Sequence, residues 1–347
     1  MEQALRRRNT GPRKIRRLIV LLVLVVLTPA ATITVGPAAV PIQDVLGVIA
    51  SHIPGLDIDI TWDRTTDAIV WQTRLPRIVG GIAVGAVLGV SGVVLQALVR
   101  NPLAEPYVLG VSSGASTGAA VAMITLGLSS PGGVGMLAFV GAFGATVTVL
   151  AIAGRTHSPL HLILAGLAVG FGFQSITNLI IFSSGSPEAS RAVMFWTLGS
   201  LARVRWPDLG LITIVAIVLM VVMAVLGPVL DALASGDRTA QSVGIEPARA
   251  RLLLLIPVSA AVALAVATAG GIGFVGLIIP HMMRSVIGHS HRFLVLACAL
   301  SGALFLVWTD TMARIVFAPA ELPIGVITGF IGAPFLVILV RRTRSGL

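Results

Sequence analysis

The chain has 347 residues, 56% of them hydrophobic and 11% charged, with a formal net charge of +10. Soluble domains carry about 25% charged residues, so this chain lacks the polar side chains that would cover a water-exposed surface. Its basic excess is clustered beside apolar runs: Arg6, Arg7, Arg8, Arg13, Lys14, Arg16 and Arg17 before the first, and Arg341, Arg342 and Arg344 after the last. That distribution belongs to membrane topology and excludes nucleic-acid binding as the reason for the charge.

A helix needs about 20 apolar residues to cross a bilayer. In chain order the apolar stretches predict ten spans, near 18–36, 78–99, 107–128, 134–153, 159–183, 208–229, 249–270, 272–287, 292–317 and 323–340. The expected fold class is an all-α integral membrane protein, with about ten transmembrane helices in one compact bundle and both termini cytoplasmic. Residues 1–17 form a basic cytoplasmic tail, and 18–343 form a single membrane domain. The first span also reads as a signal peptide, with Pro29-Ala30-Ala31 as a poor cleavage site; its apolar run continues through Val35, which favours an uncleaved helix.

Loop charge sets the sidedness. The loop 37–73 holds Asp44, Asp57, Asp59, Asp63 and Asp67 against Arg64 and falls outside. The segments 154–158 (Arg155, His157), 230–251 (Arg238, Arg249, Arg251) and 284–292 (Arg284, Arg292) fall inside. Two outer segments break the pattern by being basic, at Arg74/Arg77 and at Arg203/Arg205. The inner segment 230–251 is too long for a turn, and its Asp231, Ser235, Asp237 and Thr239 offer helix caps. Two short helices on the cytoplasmic face are predicted there.

Small residues at four-residue spacing (Gly81/Gly85/Gly89, Gly110/Gly114/Gly118, Gly166/Gly170, Gly325/Gly329) predict close helix packing. Gly271-Ile272-Gly273-Phe274-Val275-Gly276 matches a dinucleotide-binding string, but it joins two membrane spans instead of following a strand. Its glycines fit a sharp turn. The only lysine, Lys14, follows Arg13, so no ATP-binding P-loop exists in this chain. The single cysteine, Cys298, excludes an internal disulfide and a Cys-based metal cage. His281, His289 and His291 gather near one inner loop and read as surface groups, so no metal site and no catalytic residue is assigned.

Ionisable and polar groups inside spans are costly and carry function or pair with one another. Asp310 and Arg314, four apart, have the order that suits a helical ion pair. Gln174, Thr177 and Asn178 form a polar stripe on one face of the fifth span. It either bonds a neighbouring helix or faces a water-filled path, and Ser183, Ser184 and Ser186 extend it outward. An ion-coupled transporter would need titratable carboxylates near mid-bilayer. Glu105 and Asp310, the only candidates, lie toward span ends. A membrane-embedded enzyme would need clustered Asp or His at one face, which the sequence does not offer.

Five stretches then occur in order. They are Arg74-Leu75-Pro76-Arg77; Asn101-Pro102-Leu103-Ala104-Glu105-Pro106; Leu109-Gly110-Val111-Ser112-Ser113-Gly114-Ala115; Gly273 through His281 with Arg284; and Glu321-Leu322-Pro323-Ile324-Gly325-Val326 with Gly332-Ala333-Pro334. Together they resemble the permease family of ABC importers for ferric siderophores, haem and vitamin B12, over about residues 60 to 343. The resemblance implies a second permease, as a copy or a paralogue, around a central path. It also implies two ATP-binding subunits that use ATP and Mg, and an extracytoplasmic substrate-binding protein. This chain itself would bind no cofactor.

Residue roles carry over from the same resemblance. Arg74, Arg77 and Arg314 would dock the binding protein. Ser235, Gly236, Asp237, Ala240 and Gly244 would seat in the ATPase. Gln174, Thr177, Asn178, Met194 and Trp196 would line the path, and Asn101, Leu103, Pro159 and Leu160 would form the cytoplasmic gate. Some family members carry small hydroxyl residues where Pro159 and Leu160 stand. Family frequency puts a ferric siderophore first as substrate, then haem, then a corrinoid.

Overall fold

The computed structural model describes residues 10–55, 59–154 and 159–344; Arg6, Arg7, Arg8, Asp57, Arg155 and His157 lie outside them. Among the described residues every regular element is helical. In chain order the helices are α1 (Thr10–Thr32), α2 (Ile42–Ser51), α3 (Leu75–Val99), α4 (Val111–Ala120), α5 (Pro131–Ala153), α6 (Pro159–Phe182) and α7 (Pro187–Thr197). There follow α8 (Trp206–Val225), α9 (Gly227–Ala234), α10 (Asp237–Ser242), α11 (Pro247–Ala269), α12 (Val275–Ile287), α13 (His291–Ile315) and α14 (Ile324–Arg344). α3 is the continuation of a short turn at Arg64–Asp67 and a wider π-helical stretch at Ala68–Arg74.

Each of the ten expected spans coincides with a helix, and among the described residues seven of those helices are long and apolar enough to cross a membrane. They are α1, α3, α5, α6, α8, α11 and α13. α4 is ten residues long and runs on into a π-helical turn at Val121–Thr125, and α12 has 13 residues. The predicted pair of short helices in the 230–251 segment is present as α9 and α10.

α3 is the axis of the bundle, and almost its whole length from Ile78 to Val99 is buried. Missing side chains allow this. A Cβ on Gly85 would run into the Gly302 carbonyl of α13, and one on Gly89 into the Cys298 carbonyl of the same helix. On another face, Gly92 meets Gly276 of α12. In lipid, where burial of apolar surface drives little association, such backbone-to-backbone contact supplies dispersion energy. The same device joins α4 to α5 through Gly114, Gly118 and Gly141.

The glycine pattern does not pack everywhere it was expected to. A Cβ on Gly329 would meet nothing within 4 Å, and one on Gly170 only the Ser113 hydroxyl at 3.7 Å. Both belong to helices with exposed apolar faces: Leu164, Leu167, Phe171 and Leu179 on α6, and Phe330, Val337 and Ile338 on α14. Spacing alone does not distinguish a glycine facing a neighbouring helix from one facing outward.

Candidate functional site

The end of the bundle that carries residues 33–55 and 59–67, here the upper end, gathers the three arginines singled out from the sequence. The π-helical stretch Ala68–Arg74 and the first turn of α3 place Arg74 and Arg77, and the last turn of α13 places Arg314. All three are at most 4% exposed. Arg77 Nη2 donates to Asp310 at 2.8 Å and its Nη1 to both oxygens of Glu321 at 3.0 and 2.9 Å. Asp310 Oδ2 also lies 3.3 Å from Arg314 Nε, as an ion pair without hydrogen-bond alignment.

The expected Asp310–Arg314 pair is therefore one edge of a larger cluster. Three guanidinium groups face two carboxylates, so one positive charge is in excess. Arg74 has no ion pair among the described residues. Backbone oxygens serve it instead: Arg74 Nη1 donates to the Ile33 carbonyl at 2.6 Å and Nη2 to the Ala38 carbonyl. Arg314 Nη1 donates to the Val35 carbonyl at 3.0 Å. The segment 33–38 after α1 thus covers the cluster as a strap of carbonyl groups.

Beside this cluster a cavity of about 1110 Å³ opens between α5, α7, α8 and the end of α11. Met136, Phe139, Trp196, Leu211 and Leu264 line it, with Glu188, Arg203 and Glu321 among its polar groups. Trp196, expected on the path, faces this cavity, whereas Met194 on the same helix is 58% exposed. α7 is held at its start by Ser186, whose hydroxyl accepts from the Ala189 amide at 3.2 Å.

The polar stripe of α6 divides. Gln174 and Asn178 are exposed and bonded to each other at 3.0 Å. Thr177 turns inward, where its hydroxyl meets that of Thr117 on α4 at 2.7 Å. Thr177 thus bonds a neighbouring helix, the first of the two alternatives raised by the sequence, while the amide pair faces out of the bundle.

At the lower end, α10 carries the segment expected to couple to another subunit. Ser235 and Gly244 are exposed, Ala240 is buried, and Gly236 lies beside Arg100. Asp237 accepts from Arg251 Nη2 at 2.5 Å and sits 3.7 Å from Arg100 Nη1. Arg251 is 2% exposed and also donates through Nε to the Leu98 carbonyl at 3.3 Å. The Arg251 hydrogen bond holds the Asp237 carboxyl below the usual carboxylate range. Asn101 and Leu103 share a cavity of about 100 Å³ with Leu162 and Ile163 of α6. Leu160 is 62% exposed at the start of that helix, whose first residue is Pro159.

The sequence reading assigned no role to a set of buried hydrogen bonds between the loop after α3 and the Phe274 turn. Glu105 accepts from the Phe274 amide, and the Tyr107 hydroxyl accepts from the Ile272 amide at 2.8 Å. Gln96 donates to the carbonyls of Ala104 at 3.3 Å and Gly276 at 3.1 Å, and accepts from Arg284 at 2.6 Å. Phe274 has φ +69°, a left-handed conformation that costs a non-glycine residue about 1–3 kcal/mol. A lone carboxylate between Pro102 and Pro106 in an apolar region was the available signal. The histidines stand apart in role: His291 bonds Asp231 at 2.6 Å, and His281 packs edge-on against Phe335. Among the described residues no three metal-ligating side chains come together.

Comparison with known proteins identifies the family. Residues 18–342 match the model of the FecCD transport family. The chain is 40% identical over 321 residues to a cobalamin import system permease protein, BtuC, of Halobacterium salinarum, covering 90% of this chain and 84% of that one. It is 40% identical over 281 residues to the vitamin B12 import system permease protein BtuC of Salmonella arizonae, covering 80% and 84%. A solved structure described as an inward-facing conformation of a metal-chelate type ABC transporter superposes with a TM-score of 0.81 at 31% identity, covering 94% of this chain and 99% of that one. With seven membrane-length apolar helices and a family match over nearly its whole length, this chain is a multi-pass membrane protein that belongs to the FecCD transport family.

Proposed function

We propose that this chain is the permease subunit of an ATP-driven importer in the cytoplasmic membrane, forming half of a transport path by alternating access. All ten helices at the expected spans would cross or enter the bilayer, with both termini and the α9–α10 segment cytoplasmic. The exposed apolar faces of α6 and α14 support a second permease as the partner there. Two ATP-binding subunits would seat α10, and the ATP and Mg they use would not touch this chain. The sequence ranking of substrates is revised: relatives named for cobalamin and vitamin B12 at about 40% identity favour a corrinoid over a siderophore or haem.

One observation carries the docking part of this reading: a buried cluster of three arginines with one positive charge in excess, at the upper end. A buried charge needs a partner, and Arg74 has only carbonyl oxygens. An acidic side chain from an extracytoplasmic binding protein would complete the set and fix its docking orientation. Ion-coupled transport is disfavoured because Asp310 is held in ion pairs with two guanidinium groups, at 2.8 Å from Arg77 and 3.3 Å from Arg314.

Arg74→Gln tests the docking role without placing a new carboxylate beside Asp310 and Glu321, as Arg77→Glu would. In the reconstituted complex, binding-protein affinity and uptake should fall at least tenfold while assembly persists. Unchanged affinity would remove the docking claim.

A further inference from the structure

The lower end and α7 are joined by a run of hydrogen bonds, short chain segments and one ring contact. Asp237 of α10 binds Arg251 and lies beside Arg100, while Arg251 also holds the Leu98 carbonyl, so the coupling segment is fastened to the last turn of α3. The chain leaves α3 through Asn101, whose side chain accepts from the Leu103 amide at 2.9 Å, and reaches Glu105 within one short loop. Glu105 is buried and accepts from the Phe274 amide. Phe274 seats its ring on α14, where a Cβ on Gly332 would collide with it. From there α14 leads to its own start, where the Ile324 and Gly325 amides bond Gly199 and Leu198 just past α7 at 2.9 and 3.0 Å.

We propose that Glu105 is a positioning residue for transport: it latches the loop after α3 to the Phe274 turn, so that displacement of the α10 segment is delivered to α14 and α7. The inference rests on the permease reading above and adds the element through which the coupling segment acts. Two features make the latch more than a packing contact. A turn residue with a side chain holds φ at +69° only while something fixes its amide, and the Glu105 carboxylate is that group. The aromatic ring of the same residue fills a notch that only glycine leaves open on α14. Releasing the amide lets the backbone relax and withdraws the ring, giving a local element with two arrangements, as coupling between distant sites requires.

The test uses the complete complex in proteoliposomes and measures substrate taken up per ATP hydrolysed. Glu105→Ala should lower uptake at least tenfold while assembly and binding-protein-stimulated ATP turnover persist, so that uptake per ATP falls in proportion. Glu105→Gln, which keeps an acceptor for the Phe274 amide, should recover most of the loss. Phe274→Leu leaves amide and carboxylate in place but removes the ring from Gly332, and should uncouple in the same way; it decides the matter where Glu105→Ala fails to assemble. Wild-type uptake per ATP in Phe274→Leu, or in an assembled Glu105→Ala complex, would overturn the latch. So would loss of assembly in Glu105→Gln, which would mark a purely structural role. Absence of ATP-driven uptake by the unaltered complex would instead count against the permease reading itself.

Discussion

Arg77 and Asp310 stand 2.8 Å apart across 233 residues of sequence, and each side chain is 3% exposed. This pair ties the first turn of α3 to the second-last turn of α13 at the end of the bundle where Arg74 remains without a carboxylate. Arg77 and Asp310 hold the helix ends in register, and the excess charge beside them is what the proposed docking would use.

Removal of Asp310 leaves two buried guanidinium groups short of a counter-charge. Asp310→Ala is therefore expected to destabilise the protein by about 3–5 kcal/mol. Glu321 is 37% exposed, so Glu321→Gln should cost less than about 1 kcal/mol. Thermal unfolding in one detergent measures both, and equal losses would contradict the hierarchy.

The contact between α3 and α13 depends on hydrogen in place of a side chain. Gly85→Ala would push a methyl group against the Gly302 carbonyl and within 3.0 Å of the Ala303 Cα. Overpacking of this kind costs about 1–3 kcal/mol. Gly144→Ala on α5 meets nothing within 4 Å and should be neutral or slightly stabilising. Melting curves of the two variants separate a packing glycine from one with open space around it.

Docking on the arginine cluster requires the carbonyl strap to move. Backbone amides in residues 33–40 should exchange hydrogen faster when the binding protein is added, because the Arg74 contacts to Ile33 and Ala38 are exchanged for a carboxylate. Protection that increases or stays constant would indicate docking elsewhere.

The seat of α10 should weaken in acid. Asp237 is held below its ordinary value of about 3.9 by the Arg251 hydrogen bond. Its contribution is complete above the unfolded value and disappears as pH falls through the lowered folded value. Protease cleavage within 235–244 should therefore rise only below about pH 4, and Asp237→Asn should show the same susceptibility at neutral pH. Equal cleavage of variant and wild type at pH 7 would show that Arg251 does not hold the segment.

The sequence was informative where composition and period act locally. Ten apolar runs each coincide with a helix, and the polar segment 230–251 holds α9 and α10, although neither is capped by a side chain: Asp231 lies within α9 and accepts from the His291 amide instead. It was silent where partners are distant. Nothing near Asp310 advertises Arg77, and Glu321 becomes its partner only because the turn after α13 brings the two together. The stripe on α6 looked uniform, yet Thr177 turns inward to Thr117, a contact fixed by how α4 and α6 cross. Glu105 was visible as a carboxylate in apolar surroundings, but its partner is a backbone amide, which no residue type reveals.

The most direct test of the account is uptake of cobalamin into proteoliposomes holding this chain with its ATPase and binding protein, with ATP inside and all ion gradients collapsed by ionophores. The account predicts uptake that requires ATP and is unchanged by the ionophores. Uptake driven by an ion gradient without ATP would contradict it.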